Sequence, residues 1–377
     1  MFKTTLAFLT LLPSIAIAQP GIRVLKIAID QPVYTNQPLW IRAQATPSDN
    51  IRYPFHAAME DIGCNRLEVK RDGVLLKPHP LSGTTSLDGI LCGSAAPSGS
   101  PEDRLPIHVL YPLDKPGTYS IRWTVMMPNF NGHPDVLEPQ AQSEWLTFEV
   151  KQSTPEQQEV WIQTMLANPP TGRGQLAGDY LPSILAAAPD PRVLQVFLKY
   201  LHSQDSMVAG MAASGIERLP LSEVLPAVTD SIEHGDPSDE LAYFGSYHKG
   251  WTQEQQSRIV HAMIPFLQPS TALQSNQSPP YASTPVSAAI KMLHFIFYIP
   301  NHAWPENPNL ATYADSQVLL AAPNIMARAN ENAVQELAIY LGSMQSSAHA
   351  HDLLLEIAKR TDTAGKQAQI CLNWHRQ

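Results

Sequence analysis

Cysteine is scarce in this chain. Cys64, Cys92 and Cys371 stand far apart and include no Cys-x-x-Cys pair, so no cysteine-built zinc cage is available. Charge is scarce as well, at 16% of residues, with 25 basic against 34 acidic side chains and a net of −9. A mildly acidic chain without a Lys/Arg block suits neither nucleic acid nor an anionic membrane surface. No Gly-x-Ser-x-Gly elbow, phosphate-binding Gly-rich loop or His-Glu-x-x-His helix occurs. Long apolar runs are missing after the first eighteen residues. The most apolar later stretch, Val286 to Ile299, is interrupted by Lys291 and His294 and is too short to span a bilayer, so a buried core helix is expected there. What is plentiful is proline, at 34 residues, and apolar content, at 44%. Low charge with that apolar content argues for folded structure, and the prolines suit turns and helix starts.

The first eighteen residues read as an export signal. Lys3 gives the positive start, Leu6 to Leu12 is nearly all apolar, and Ala16-Ile17-Ala18 fits the small-x-small rule of a cleavage site. The expected cut falls before Gln19, with the mature chain periplasmic or extracellular and no membrane span. In that oxidising space Cys64 and Cys92 are expected to pair, which would stabilise by roughly 3–4 kcal/mol through loop closure. Cys371 then remains as a buried small side chain on the last helix.

A change of rhythm near residue 151 divides the chain. Before it, apolar residues alternate as in strands: Arg23 to Ile29, Leu39 to Ala45, Leu67 to Val69 with a return at Val74-Leu75-Leu76, Leu105 to Tyr111, Thr118 to Val125, and Leu146 to Val150. Tyr119, Ile121, Trp123 and Val125 share one face. Six or seven strands in this span predict a two-sheet sandwich. The segments Ser82 to Pro101 and Pro128 to Gln142 read as long loops. Leu113-Asp114-Lys115-Pro116-Gly117-Thr118-Tyr119 resembles the turn that enters a late strand of immunoglobulin-like or fibronectin-like domains. That resemblance implies an inward-packed Tyr119 whose hydroxyl bonds to backbone.

After residue 151 the apolar residues recur every three or four positions. Thr154-Pro155-Glu156 has the form of a helix start. Val193, Leu194, Phe197, Leu198 and Leu201 make one stripe. Others follow at Ile259 to Leu267, Val334 to Leu341 and Leu353 to Ala358. A weak echo links Leu181-Pro182 before Asp190-Pro191, Leu225-Pro226 before Asp236-Pro237, and Ile264-Pro265. The spacing of about 40 residues resembles HEAT-like repeats. The expected architecture is a signal peptide over 1–18, an all-β, immunoglobulin-like sandwich over 19–151, and an all-α, HEAT-like repeat domain over 152–377. The whole layout resembles exported bacterial proteins of unassigned function, and that resemblance supplies no catalytic residues.

Catalytic, cofactor-binding and metal residues are therefore not assigned. His349 and His351, two apart at a helix start, diverge on the helix and suit no shared metal. His294 and His302 flank an apolar helix end and read as hydrogen-bonded imidazoles. Glu60-Asp61 and Glu102-Asp103 read as solvated neighbours. Aromatic clusters are the first choice for a ligand or partner surface: Tyr243, Phe244, Tyr247 and Trp251 in one group, Tyr298 and Trp304 in another. The expectation is a non-enzymatic binding or scaffold protein of the cell envelope with a protein or envelope partner. The alternative is an exported hydrolase of polysaccharide or peptide working through the helical half.

Overall fold

The computed structural model describes residues 23–44, 65–78, 102–128, 137–187, 190–268, 283–299, 304–344 and 346–374. The expected leader over 1–18, Cys64, Cys92, Glu60-Asp61, His302 and the segment Ser82–Pro101 lie outside the described residues.

The strand-rich half contains β1 (Arg23–Ile29), β2 (Val33–Tyr34), β3 (Trp40–Gln44), β4 (Asn65–Arg71), β5 (Val74–Leu75), β6 (Glu102–Pro106), β7 (Gly117–Pro128), β8 (Leu137–Ser143) and β9 (Leu146–Lys151). The strands form a mixed sheet region in the order β2-β9-β7-β8-β1-β3-β6, with β4 also on β7 and β5 on β4. The pairs β1–β8 and β2–β9 are parallel and the others antiparallel. β1 changes partners midway: residues 23–25 pair with β8 and residues 26–29 with β3. β9 and β8 pair with successive stretches of β7, at 117–121 and 124–128.

Local chemistry explains the turns. Asp72 and Gly73 both take positive φ, 50° and 82°, as a two-residue hairpin between β4 and β5 requires. Tyr119, Ile121 and Trp123 are fully buried on one face of β7, and the Tyr119 hydroxyl donates to the Lys115 carbonyl at 2.8 Å, as the turn sequence implied.

Two parts of the strand reading need correction. The expected strand from Leu105 to Tyr111 ends at Pro106, and Ile107–Leu110 forms a one-turn helix, α1, with all four residues buried. Proline at 106 cannot donate to a ladder, and the turn that follows sends Val109 into one core and Ile107 and Leu110 into another. The expected loop from Pro128 to Gln142 contains β8. Its sequence, LEPQAQS, has no alternation, and neighbours on both sides supply the pairing instead.

The helical half begins after β9 with α2 (Pro155–Ala167). Thr154 closes its first turn in a capping box with Gln157. Then come α3 (Arg173–Gln175), a π-type turn at Leu176–Tyr180, α4 (Leu181–Ile184), α5 (Pro191–Leu201), α6 (Ser206–Ile216), α7 (Leu221–His234), α8 (Asp239–Tyr247), α9 (Gln253–Met263), α10 (Pro285–Phe297), α11 (Pro308–Arg328), α12 (Glu331–Ser343), α13 (Ala348–Ile357) and α14 (Thr363–Trp374). Side-chain oxygens of Asp190, Asp205, Ser238, Thr252, Thr284, Asn307, Asn330 and Ser347 accept from first-turn N–H groups, so most helix starts are fixed by the residue just before them.

These helices pack in two rows. One row runs α4-α6-α8-α10-α12-α14 and the other α5-α7-α9-α11-α13, each helix touching the next member of its row. The predicted apolar stripes face the shared core: Val193, Phe197, Leu198 and Leu201 on α5, Ile259, Val260 and Met263 on α9, and Val334, Leu337, Ala338 and Leu341 on α12. In the first row burial extends almost all round α6 and α10, which makes Val286 to Ile296 the core helix that its composition implied. The echoed prolines do not mark equivalent places. Pro182 lies in α4 of the first row, Pro226 inside α7 of the second, and Pro265 in a 3₁₀ turn after α9. Pro182 and Pro265 stand in first turns, where proline is tolerated, whereas Pro226 lies within its helix, so their even spacing does not mark one repeated position.

Candidate functional site

The most chemically loaded region lies where α8, α10 and α12 adjoin. Lys291, His294 and Tyr298 recur at i, i+3 and i+7 from α10 and so share one face. The Lys291 ammonium lies 3.0 Å from Asp239 Oδ1 at the start of α8 and 3.3 Å from Glu336 Oε1 on α12. It also stands 5.3 Å from the centre of the Tyr243 ring. One turn on, His294 Nε2 meets the Ser343 hydroxyl at 2.9 Å. At the end of α10 the hydroxyls of Tyr298 and Tyr340 both donate to Oδ1 of Asp315, at 2.8 and 2.9 Å.

The electrostatics follow from one cation shared among several acids in a poorly hydrated place. Burial works to lower Lys291, but Glu336 and Asp239 more than offset it, and the ammonium is held charged above its ordinary range. Burial pushes the Glu240 carboxyl up to about 7. Asp239 adds to this, Lys291 opposes it, and Glu217 adds again. Glu336 is also raised, by burial that outweighs Lys291. Burial lowers His294 to about 4, leaving a neutral ring at ordinary pH. Tyr298 and Tyr340 are raised, first by burial and then through Asp315, so both remain donors.

The expected aromatic surface divides when placed on the structure. Tyr243 sits on the polar seam, half-buried against Phe295 and near Lys291. Tyr298 belongs to the same seam through Asp315. Phe244 is fully buried, and Trp251 and Trp304 stack on each other with centroids 4.5 Å apart, at 5% and 9% exposure. These three side chains offer almost nothing to a partner; Trp304 and Met292 pack so closely on Gly245 that a Cβ there would lie 3.1 Å from the indole. Tyr247 is the exposed member, at 55%.

Sequence reasoning passed over Lys291, Asp239, Glu336, Glu240, Asp315 and Tyr340. Lys291 was noted there only as an interruption of an apolar run, although a lysine inside such a run is itself a sign of a buried charge needing acids nearby. The acids lie about 50 residues away on either side, which spacing alone does not reveal. Among the described residues, no group of three or more His, Cys, Asp or Glu side chains is arranged to hold a metal. His349 and His351 are exposed on the first turn of α13. A shallow hollow of 460 Å³ on the second row is lined by Glu233, Ser257, Arg258, His261 and Ala262, with Arg258 bound to Asp230 and Glu233. Among the described residues no helix is long and apolar enough to cross a membrane. Compared with known proteins, the chain matches no family model, no curated protein and no solved structure.

Proposed function

We propose that the chain is an exported, non-enzymatic binding or scaffold protein of the cell envelope. In this reading residues 19–151 form an immunoglobulin-like sandwich and residues 152–377 a HEAT-like repeat array. The observation that carries it is the two-row stacking of α4 to α14, which lays successive helix faces side by side along extended surfaces of the kind that repeat arrays present to partners. Support for the sandwich comes from β1, which passes from β8 to β3, and from the shared core of Ile41 on β3 with Ile121 and Trp123 on β7, strands that are not neighbours. The Tyr119–Lys115 bond has the form of the corner such domains use. Export rests on the leader pattern of residues 1–18.

Tyr247 is the position to probe first. A photo-crosslinking residue in its place, in the full chain expressed with its leader, is expected to trap a discrete envelope species that excess unlabelled protein competes away. A Tyr247→Ala chain is expected to compete less well. Absence of any discrete adduct from position 247 and from its neighbour Lys249 would count against the partner-binding reading. A reporter enzyme fused after Gln19 tests export separately.

One observation favours a second reading, an exported hydrolase of polysaccharide or peptide. Glu240, with a carboxyl near neutrality beside Asp239 and Lys291, has the poise of a proton donor. Turnover of envelope glycans or peptides that disappears in Glu240→Gln would establish it.

A further inference from the structure

The one-turn helix α1 joins the two halves through its backbone. Ile107 and Leu110 pack into the core of the strand half, whereas Val109 packs into the core of the helical half. Arg218, just past α6, donates to the carbonyls of both His108 and Val109. The Ile107 N–H bonds the Leu39 carbonyl at 2.9 Å. Between these anchors lies the buried ring of His108. Its Nε2 is 2.6 Å from the Pro182 carbonyl of α4, and its Nδ1 is 3.0 Å from the Leu39 nitrogen ahead of β3.

These partners fix the tautomer. A carbonyl only accepts, so Nε2 carries the proton and donates to Pro182, leaving Nδ1 bare to accept the Leu39 N–H. The Leu39 carbonyl, 3.1 Å from Nδ1, accepts from Ile107 and keeps a second lone pair, which only a protonated Nδ1 can use. A second proton on the ring would turn Nδ1 into a donor, strand the Leu39 N–H and leave a cation without a carboxylate. Among the described residues Arg218 is the charged group facing the ring, and Trp40 stands edge-on at 6.1 Å.

We propose that α1 is an acid-released latch: neutral His108 ties the strand half to the helical half, and protonation of His108 opens this junction before either half unfolds. Burial, with a smaller contribution from Arg218, outweighs the two backbone bonds and lowers His108 from 6.5 to about 4. The closed junction thus binds fewer protons than the open one. Its advantage is complete above 6.5 and falls as pH drops from there towards 4. With those two values, acid favours opening by about 30-fold at pH 5 and about 300-fold well below pH 4.

The test is hydrogen exchange of the full-length protein at pH 7.5 and 5, corrected for intrinsic rates. Protection of the segments holding Leu39 and Ile107–Tyr111 is expected to fall about 30-fold, while that of α10 and α12 persists. His108→Gln, which can still donate and accept but does not titrate, is expected to show no such fall. Equal junction protection at both pH values, an identical fall in His108→Gln, or simultaneous loss in α10 and α12 would each overturn the latch. Should His108→Gln not fold, the ring-proton titration of His108 in the unaltered chain decides: a midpoint near 6.5 overturns the proposal and one near 4 supports it.

Discussion

Gly342 and Cys371 bring two helices of the first row into backbone range. A Cβ at residue 342 would stand 2.7 Å from the Cβ of Cys371 and 2.9 Å from its sulfur, nearer than packed atoms approach. The glycine of α12 is therefore matched to the cysteine of α14. Gly342→Ala is expected to destabilise by about 1–2 kcal/mol, the overpacking outweighing the gain in helix propensity. Cys371→Ala is not expected to rescue it, because the clashing Cβ remains. Denaturant unfolding of the two single variants and the double variant checks both points.

Asp315 holds two tyrosines with one oxygen. Asp315→Ala would leave the hydroxyls of Tyr298 and Tyr340 without their acceptor at a largely buried site, and is expected to cost about 2–4 kcal/mol. Tyr298→Phe removes a donor and leaves the carboxylate with the other, so it is expected to cost less, about 1–2 kcal/mol. A double-mutant cycle between residues 298 and 315 should show coupling, and strict additivity would show that the bond contributes nothing.

Lys291 is the cation on which the polar seam depends. Replacing it with methionine keeps much of the volume but leaves Asp239 and Glu336 without their counter-charge. The expected cost is about 3–5 kcal/mol, the range for a buried pair broken on one side. Adding Glu336→Gln to Lys291→Met should recover part of that loss. If the double variant is no more stable than Lys291→Met, the carboxylates find other compensation and the seam is not organised by this lysine.

Much of the fold was legible because its periodicities are local. The alternation of Tyr119, Ile121 and Trp123 and the spacing of Leu337, Ala338 and Leu341 each declare a buried face within one element. Helix starts were readable where an oxygen-bearing residue precedes a proline, as at Thr154-Pro155 and Asp190-Pro191. β8 was not legible, because its polar sequence takes its conformation from strands on both sides. α1 was misread as strand because Ile107, Val109 and Tyr111 alternate; the helical turn arises from burying His108 and Leu110 as well. Of the seam, Tyr243 and Tyr298 were found as aromatics, but their partners Lys291 and Asp315 were not. Charged residues on different helices are brought together by the row packing, and no pattern within one helix encodes that.

Glu240 gives the helical half a pH dependence opposite in sign to that of the junction. Its carboxyl is raised by burial from 4.5 to about 7, so the folded chain binds more protons than the unfolded chain between those values. This contribution to stability is fullest below 4.5 and is lost as pH rises through about 7. Glu240→Gln keeps the shape of the protonated acid without the charge. It is expected to raise stability by about 1–3 kcal/mol at pH 8 and to change it little at pH 4.5. Thermal or urea unfolding of the pair across that range provides the measurement. A variant equally stabilised at both pH values would place the effect in packing, whereas one destabilised at pH 8 would mean that the Glu240 carboxylate is held ionised by its neighbours.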